Sequence, residues 1–267
     1  MEHVPEPDAA TQLTALKPVG PGYRTDEAGA DEALLAALYD YPDALTGTWV
    51  RANMITSLDG GATDDGTSGG LAGAGDRTLF GLMRQAADVI LVGAATARIE
   101  NYGGAQLSAA QRQARQARGQ SEVPPIAVIT HAADFAHDAR LFTHTEVPPL
   151  LLISRECVAD ATRRFGAAAE VVDASGSESD RVDPHAVLRI FGERGLLRVL
   201  TEGGPSLLSL LIEEDLLDEL CMTIAPIVVG GSARRIASGI GQAHTRMRRS
   251  QLLTDDEGYL YTRYVRA

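Results

Sequence analysis

The chain is almost without lysine: Lys17 is the single one among 24 basic residues, which stand against 36 acidic ones for a formal net charge of −12. A phosphate-binding P-loop needs a lysine after its glycines, so that motif is excluded. An acid excess of this size repels nucleic-acid phosphates and anionic lipid, which removes both from the expected partners. Cysteine is equally scarce, with only Cys157 and Cys221 present. They stand far apart in ordinary apolar runs and read as buried thiols in a reducing compartment, neither a bridge nor a nucleophile. The six histidines show none of the spacing to cysteines or acids that zinc requires, so no metal is expected. No stretch approaches the roughly 18 uninterrupted apolar residues of a membrane span. "MEHVPEPDAATQ" also lacks the basic-then-apolar layout of a secretion signal. A soluble, cytoplasmic protein is therefore expected.

What is present is ample apolar material, 45% of 267 residues, enough for one large core. Residues 1–46 read as an acidic N-terminal arm, partly flexible: nine acids fall there against Lys17 and Arg24. Within it "DEALLAALYDYP" is a short helical possibility with Leu34, Leu35 and Leu38 on one face. Residues 47–267 read as one domain. Strands "TWVRANMITSLDG", "DVILVG", "PIAVIT", "PLLLIS", "EVVDA", "LRVLTEGG" and "DELCMTIAP" interleave with helical segments of about ten residues, the first with Asp76 as its N-cap and Leu79, Phe80, Leu82 and Met83 as its stripe. That alternation implies an α/β fold with a mostly parallel central sheet and helices on both faces. "CMTIAPIVVGG" and "GYLYTRYVRA" have no crossover helix between them, which predicts an antiparallel C-terminal edge. In "QRQARQARGQ", Arg112, Arg115 and Arg118 fall on one helical side and read as a solvated face.

In an open α/β sheet, ligands lie beyond the carboxyl ends of the strands, so the turns there carry the chemistry. Three stand out. "NMITSLDGGATDDGTSGG" ends a strand in a long Gly/Ser/Asp loop of a kind that packs no core, and Asp59 is either a turn residue before Gly60 or a buried acid near a ligand. "VILVGAATARIE" runs a buried strand into Gly93 and Ala94, where a ligand can approach the backbone and a helix start can meet an anion. "LTEGGPSLLSLL" frees the backbone at Gly203 and Gly204, seats Pro205 at a first helical position and adds the hydroxyl of Ser206. This is a cradle for a diphosphate. Glu202 would repel a phosphate, so it reads as facing a hydrogen-bond-donating part of a second ligand.

Taken in order, "SLDG", the Gly/Ser-rich loop, "LMRQAADVILVGAAT", "LTEGGPSLLSLLIEEDLLDEL" and "TIAPIVVGG" resemble the RibD C-terminal family, the riboflavin-biosynthesis pyrimidine reductases with a dihydrofolate-reductase-like fold. The resemblance runs from about Trp49 to the end of the chain. It implies reduction by NADPH of the ribosyl group of 5-amino-6-(5-phosphoribosylamino)uracil, the hydride going to sugar C1′. It implies cofactor contacts at Ile55, Asp59, Gly70, Val92, Gly93, Ala94, Thr96, Glu100, Thr130 and the helix start Gly203, Gly204, Pro205, Ser206 and Leu207. A 2′-phosphate would meet His131 or Arg155. It further implies substrate contacts at Asn53, Ser68, Arg84 and Glu202, with Asp59 and Glu202 the acids placed for catalysis, Arg84 on a ribose phosphate and Glu202 on the pyrimidine's amine and ring N–H. A homodimer is implied as well. The Pro-Cys-x-x-Cys half of the zinc-deaminase signature is missing from the sequence, so no deamination is expected. The loop "GTSGGLAGAG" has no bulky aromatic. A wider pocket there keeps a dihydrofolate or dihydropteridine as the alternative substrate, and a non-catalytic NADPH sensor as the alternative from another class.

Overall fold

The structure of the chain is a computed structural model, and it describes residues 30–267. In chain order the elements are α1 (Ala30–Ala37), β1 (Trp49–Thr56), α2 (Ala74–Ala86), β2 (Val89–Gly93), α3 (Ala94–Ile99), α4 (Ala109–Ala117), β3 (Ile126–Thr130), α5 (Arg140–Thr143), β4 (Leu150–Ile153), α6 (Arg155–Phe165), β5 (Glu170–Asp173), α7 (Pro184–Glu193), β6 (Arg198–Thr201), α8 (Pro205–Glu213), β7 (Glu219–Ile224), β8 (Met247–Thr254) and β9 (Leu260–Arg266). The nine strands form one sheet in the order β5-β4-β3-β2-β6-β1-β7-β9-β8. Every pairing from β5 to β7 is parallel, and β9 runs antiparallel to both β7 and β8.

The inner strands are apolar without alternation because helices cover both of their faces. Ile90 and Val92 of β2 point to a cluster that takes in Leu79, Leu82 and Met83 of α2 and Phe165 of α6. Val89 and Leu91 point the other way, toward Val187 and Phe191 of α7 and Leu207, Leu208 and Leu211 of α8. All four β2 side chains are fully buried, each contributing about 1.5–3 kcal/mol of hydrophobic stabilisation.

Residues 30–46 hold on to this sheet. Arg51 and Arg263 both bind the buried carboxylate of Glu219, each with Nε 2.7 Å from Oε1. Their remaining donors take the carbonyls of Leu38, Tyr39 and Asp40. Leu35, Tyr39 and Tyr41 are buried in consequence. Leu34, expected on the same helical face as Leu35 and Leu38, is instead exposed. The rest of the expected arm, residues 1–29, lies outside the described residues.

Three local expectations change. Asp76 is not the cap of α2; Gly73 is, and Asp76 sits in the first turn. Arg115 does not belong to a solvated face but is fully buried, donating to the carbonyls of Gln85 and Ala87 that the end of α2 leaves free. The Gly-rich loop does pack: Leu71 is 0% exposed, and Tyr259 of the C-terminal hairpin donates to its carbonyl at 3.1 Å. A Cβ on Gly73 would lie 2.8 Å from the Tyr259 ring. That glycine lets the hairpin close against the start of α2.

Candidate active site

At the carboxyl ends of β1, β2, β3 and β6 lies a cleft of about 1060 Å³. Its wall at β6 is the stretch Glu202 to Leu207. Gly203 and Gly204 adopt φ of +89° and +81°, conformations open to glycine, and the chain then enters α8 with Pro205 in its first turn. A Cβ on Gly204 would lie 2.8 Å from Thr96 Oγ1, so the close approach of the two turns also demands glycine. The turns are laced together: Gly93 donates its N–H to the Gly203 carbonyl at 2.9 Å, and Glu202 donates to the Leu91 carbonyl at 3.0 Å. The Gly93 amide is therefore already spent, and α3 behind it has only six residues. The start of α8, with Ser206 and Leu207, lines the cleft.

Of the residues singled out from sequence, Asn53, Ile55, Ser68, Gly93, Ala94, Thr96, Glu100, Thr130, His131, Glu202, Gly203, Gly204, Pro205, Ser206 and Leu207 line the cleft. Ser68 and Glu100 also meet each other, the Ser68 N–H donating to Glu100 Oε1 at 2.8 Å. The letters Gly66 to Gly70 spell Gly-x-Ser-x-Gly, yet Ser68 leads into the 3-10 turn Gly69–Leu71 and not from a strand into a helix, as a nucleophile elbow requires.

Five expectations land elsewhere. Val92 is wholly buried in the core. Gly70 faces Asp64, whose Oδ2 would be 2.8 Å from an added Cβ. Arg155 stands on the surface, paired with Asp173 at 2.8 Å. Asp59 is exposed and accepts from the Ser57 hydroxyl at 2.6 Å and from the N–H groups of Val229 and Gly230 at 3.1 and 2.7 Å. It is a turn residue that pins two loops, not an acid in the cleft. Arg84 lines a neighbouring hollow of about 760 Å³ and is bound to Glu202: Nε reaches Oε1 and Nη2 reaches Oε2, each at 2.6 Å. It does not pair with Asp88, which is held by Gln120 and Arg198.

Tyr102 completes that pair, its hydroxyl donating to Glu202 Oε2 at 2.6 Å. Burial disfavours the Arg84 charge, but Glu202 outweighs it and raises the guanidinium pKa. Burial, then Glu202, push the Tyr102 phenol well up as well, so it stays a donor. Three of the roughly four acceptor sites of the carboxylate are thus taken, and one is left for a donor in the cleft.

Sequence reasoning missed what else faces the cleft. Asp76, Phe80 and Arg84 recur every fourth residue along α2, a spacing that puts them on one stripe. Phe80 and Asp76 line the cleft, and Arg84 lies over the Phe80 ring at 4.2 Å from its centre. Burial raises the Asp76 carboxyl above its usual range, opposed by the Thr223 hydroxyl and by Arg77. Arg98 and Arg234 add positive charge to the rim. Among the described residues no cluster of side chains could hold a metal, and no helix is long and apolar enough to cross a membrane.

The family model of the RibD C-terminal domain matches residues 48–261. A 2,5-diamino-6-ribosylamino-4(3H)-pyrimidinone 5′-phosphate reductase of Archaeoglobus fulgidus is 29% identical over 184 residues, 68% of this chain and 82% of its own length. The riboflavin biosynthesis protein RibD of Chlamydia trachomatis is 26% identical over 78% of this chain, but only 55% of that protein is covered. Among solved structures, a pyrimidine reductase-like protein from Corynebacterium diphtheriae superposes with a TM-score of 0.74 at 27% identity, covering 82% of this chain and 92% of that one. The parallel sheet, the antiparallel C-terminal hairpin and the match over residues 48–261 agree, and the chain belongs to the RibD C-terminal domain family of riboflavin-biosynthesis reductases.

Proposed function

We propose that the chain is an NADPH-dependent reductase of a phosphoribosylaminopyrimidine, acting on 5-amino-6-(5-phosphoribosylamino)uracil by hydride addition at sugar C1′, without deaminase activity. The observation that carries this reading is the turn at the end of β6, where Glu202 faces the cleft beside the glycine backbone that opens α8.

The residues fit the cofactor. Gly204 leaves room where a side chain would meet Thr96, and the free N–H groups at the start of α8 suit a diphosphate. Thr130 and His131, on the β3 side of the cleft, would hold the adenosine half. When bound, NADPH supplies the hydride, and the chain supplies position and electrostatics. Asn53 and Ile55 form the floor on which the reacting carbon is held, and the open acceptor site of Glu202 fixes one donor edge of the substrate base.

A pterin is the second reading, favoured by the engagement of Arg84 with Glu202, which leaves Arg84 unavailable to a ribose phosphate. Purified protein is mixed with NADPH and, separately, the uracil phosphate, the 2,5-diamino-pyrimidinone phosphate named for the archaeal relative, and dihydrofolate, and the loss of NADPH absorbance is followed. Turnover of a phosphorylated pyrimidine supports the first reading. Turnover of dihydrofolate alone replaces it with the second, and tight NADPH binding without turnover makes the chain a sensor. A cytoplasmic homodimer belongs to the same reading, and the particle mass from light scattering tests the pairing.

A further inference from the structure

Strand β1 lies between β6 and β7. Its cleft-facing residue Ile55 is registered with Thr223 of β7, and its Ala52 with Thr201 of β6, one residue before Glu202. The floor of the cleft is thus flanked by two acids, Glu202 on the β6 side and Asp76 on the β7 side. Helix α2 serves both. Its last turn delivers Arg84 to Glu202, and its first turn, about 12 Å away along the axis, places Asp76 in the wall of the cleft.

The two settings are opposite. Glu202 has a guanidinium on both oxygens and a phenol besides. Asp76 has the neutral hydroxyl of Thr223 on β7, Arg77 beside it on α2, and a group of phenols and acid beyond: Tyr259 and Tyr261 on β9, and Asp255 in the turn before them. The packing is close because α2 begins with glycines: a Cβ on Gly75 would meet the Tyr261 hydroxyl and come within 3.3 Å of Asp255 Oδ2. The Tyr261 hydroxyl itself donates to Asp255. Of these two acids, Glu202 is the one with a guanidinium on both oxygens, which leaves Asp76 as the one placed for proton transfer.

We propose that Asp76 is the proton donor of the reduction. The role rests on the reductase reading above. In the open imine form of the sugar, the carbon of the C=N bond takes a hydride from the dihydronicotinamide and the nitrogen takes the Asp76 proton. The double bond becomes a C–H and an N–H bond, the nicotinamide is oxidised, and the Asp76 carboxylate regains its proton from water. A dihydropterin imine has the same balance. Glu202, already engaged by Arg84 and Tyr102, holds the substrate in place.

The assignment is tested by Asp76→Asn, Asp76→Glu and Thr223→Val in the full chain. Asp76→Asn should lower kcat by about 100-fold or more, the usual worth of a general acid, with NADPH affinity unchanged and Asp76→Glu restoring part of the rate. Wild-type kcat should fall as pH rises through the Asp76 pKa. Thr223→Val removes a hydroxyl that favours the ionised form, so this limb should move to higher pH. A second readout needs no turnover: carbon NMR of the aspartate carboxyls in ligand-free protein should show, beside the likewise raised Asp218, a resonance titrating above the ordinary value of about 3.9 that is absent in Asp76→Asn and shifted upward in Thr223→Val. A kcat within about threefold of wild type in Asp76→Asn overturns the donor, as does a carboxyl that titrates in the ordinary range or an unmoved Thr223→Val titration. Absence of wild-type turnover on every substrate refutes the reductase reading itself, and the donor with it.

Discussion

Arg84 and Glu202 are 118 residues apart in the chain and meet side-on, with two hydrogen bonds of 2.6 Å between guanidinium and carboxylate. Their side chains are 15% and 2% exposed, so neither charge has much water to fall back on. Removing one partner strands the other. Arg84→Met should therefore destabilise the fold by about 3–5 kcal/mol, and the double variant Arg84→Met with Glu202→Leu by much less, as urea unfolding of all four proteins would read. Glu202→Gln should abolish turnover or raise KM at least about tenfold while NADPH affinity changes little. Equal losses of substrate and cofactor would show that the turn is not divided between them.

The division predicts the converse at Gly204. With φ at +81° and Thr96 Oγ1 2.8 Å from an added Cβ, valine can neither adopt the backbone nor fit the space. Gly204→Val should weaken NADPH at least about tenfold, or roughly 1.4 kcal/mol, measured by fluorescence titration of folded protein. An unchanged affinity would place the diphosphate elsewhere than the start of α8.

The parts of the fold that were legible in the sequence are those where local pattern and burial agree. The parallel strands are continuous apolar runs, and "EGGPS" names its own turn because only glycine tolerates those φ values next to a proline-led helix. Strand β8 escaped because "MRRSQLLT" lies at the sheet edge, where Arg248, Arg249 and Ser250 are exposed and no apolar period shows. Arg115 read as a surface charge because its carbonyl partners on α2 are 28 to 30 residues away in sequence. The pairing of Arg84 with Glu202 was illegible for the same reason: two residues assigned to different parts of a ligand turned out to satisfy each other. The stripe Asp76, Phe80 and Arg84 was in the sequence, but its apolar neighbours Leu79, Leu82 and Met83 carried the stronger helical signal.

Glu219 is the counterpart of Glu202 on the far side of β1, a buried acid serving structure. Burial alone would raise its pKa, yet Arg51 and then Arg263 outweigh burial and lower it. A carboxyl depressed in the folded state contributes stability above its unfolded pKa of about 4.3 and loses it as pH falls through the folded value. Acid unfolding of the wild type should therefore be steep below about pH 4. Glu219→Gln should flatten it at a cost of about 3–5 kcal/mol at neutral pH. The same variant frees the donors that hold the carbonyls of Leu38 to Asp40, so limited proteolysis should cut near that segment first.

Asp59 supplies the sharpest test of the corrected site, because its sequence context and its position disagree. In "SLDGG" it reads as an acid at the end of a ligand-facing strand, whereas its carboxylate points away to Ser57, Val229 and Gly230 and does not line the cleft. The Ser57 hydroxyl, then the N–H groups of Gly230 and Val229, lower its pKa to about 2. The carboxylate is fully ionised wherever the protein is folded at ordinary pH, so it has no proton to give or take during turnover. Asp59→Asn keeps one acceptor oxygen for the turn and should leave both kcat and NADPH affinity within about threefold of wild type, in contrast to the loss expected at Glu202. A fall in kcat of about 100-fold in a folded Asp59→Asn protein would return this residue to the active site and show that the loops it joins close over the cleft when ligand binds.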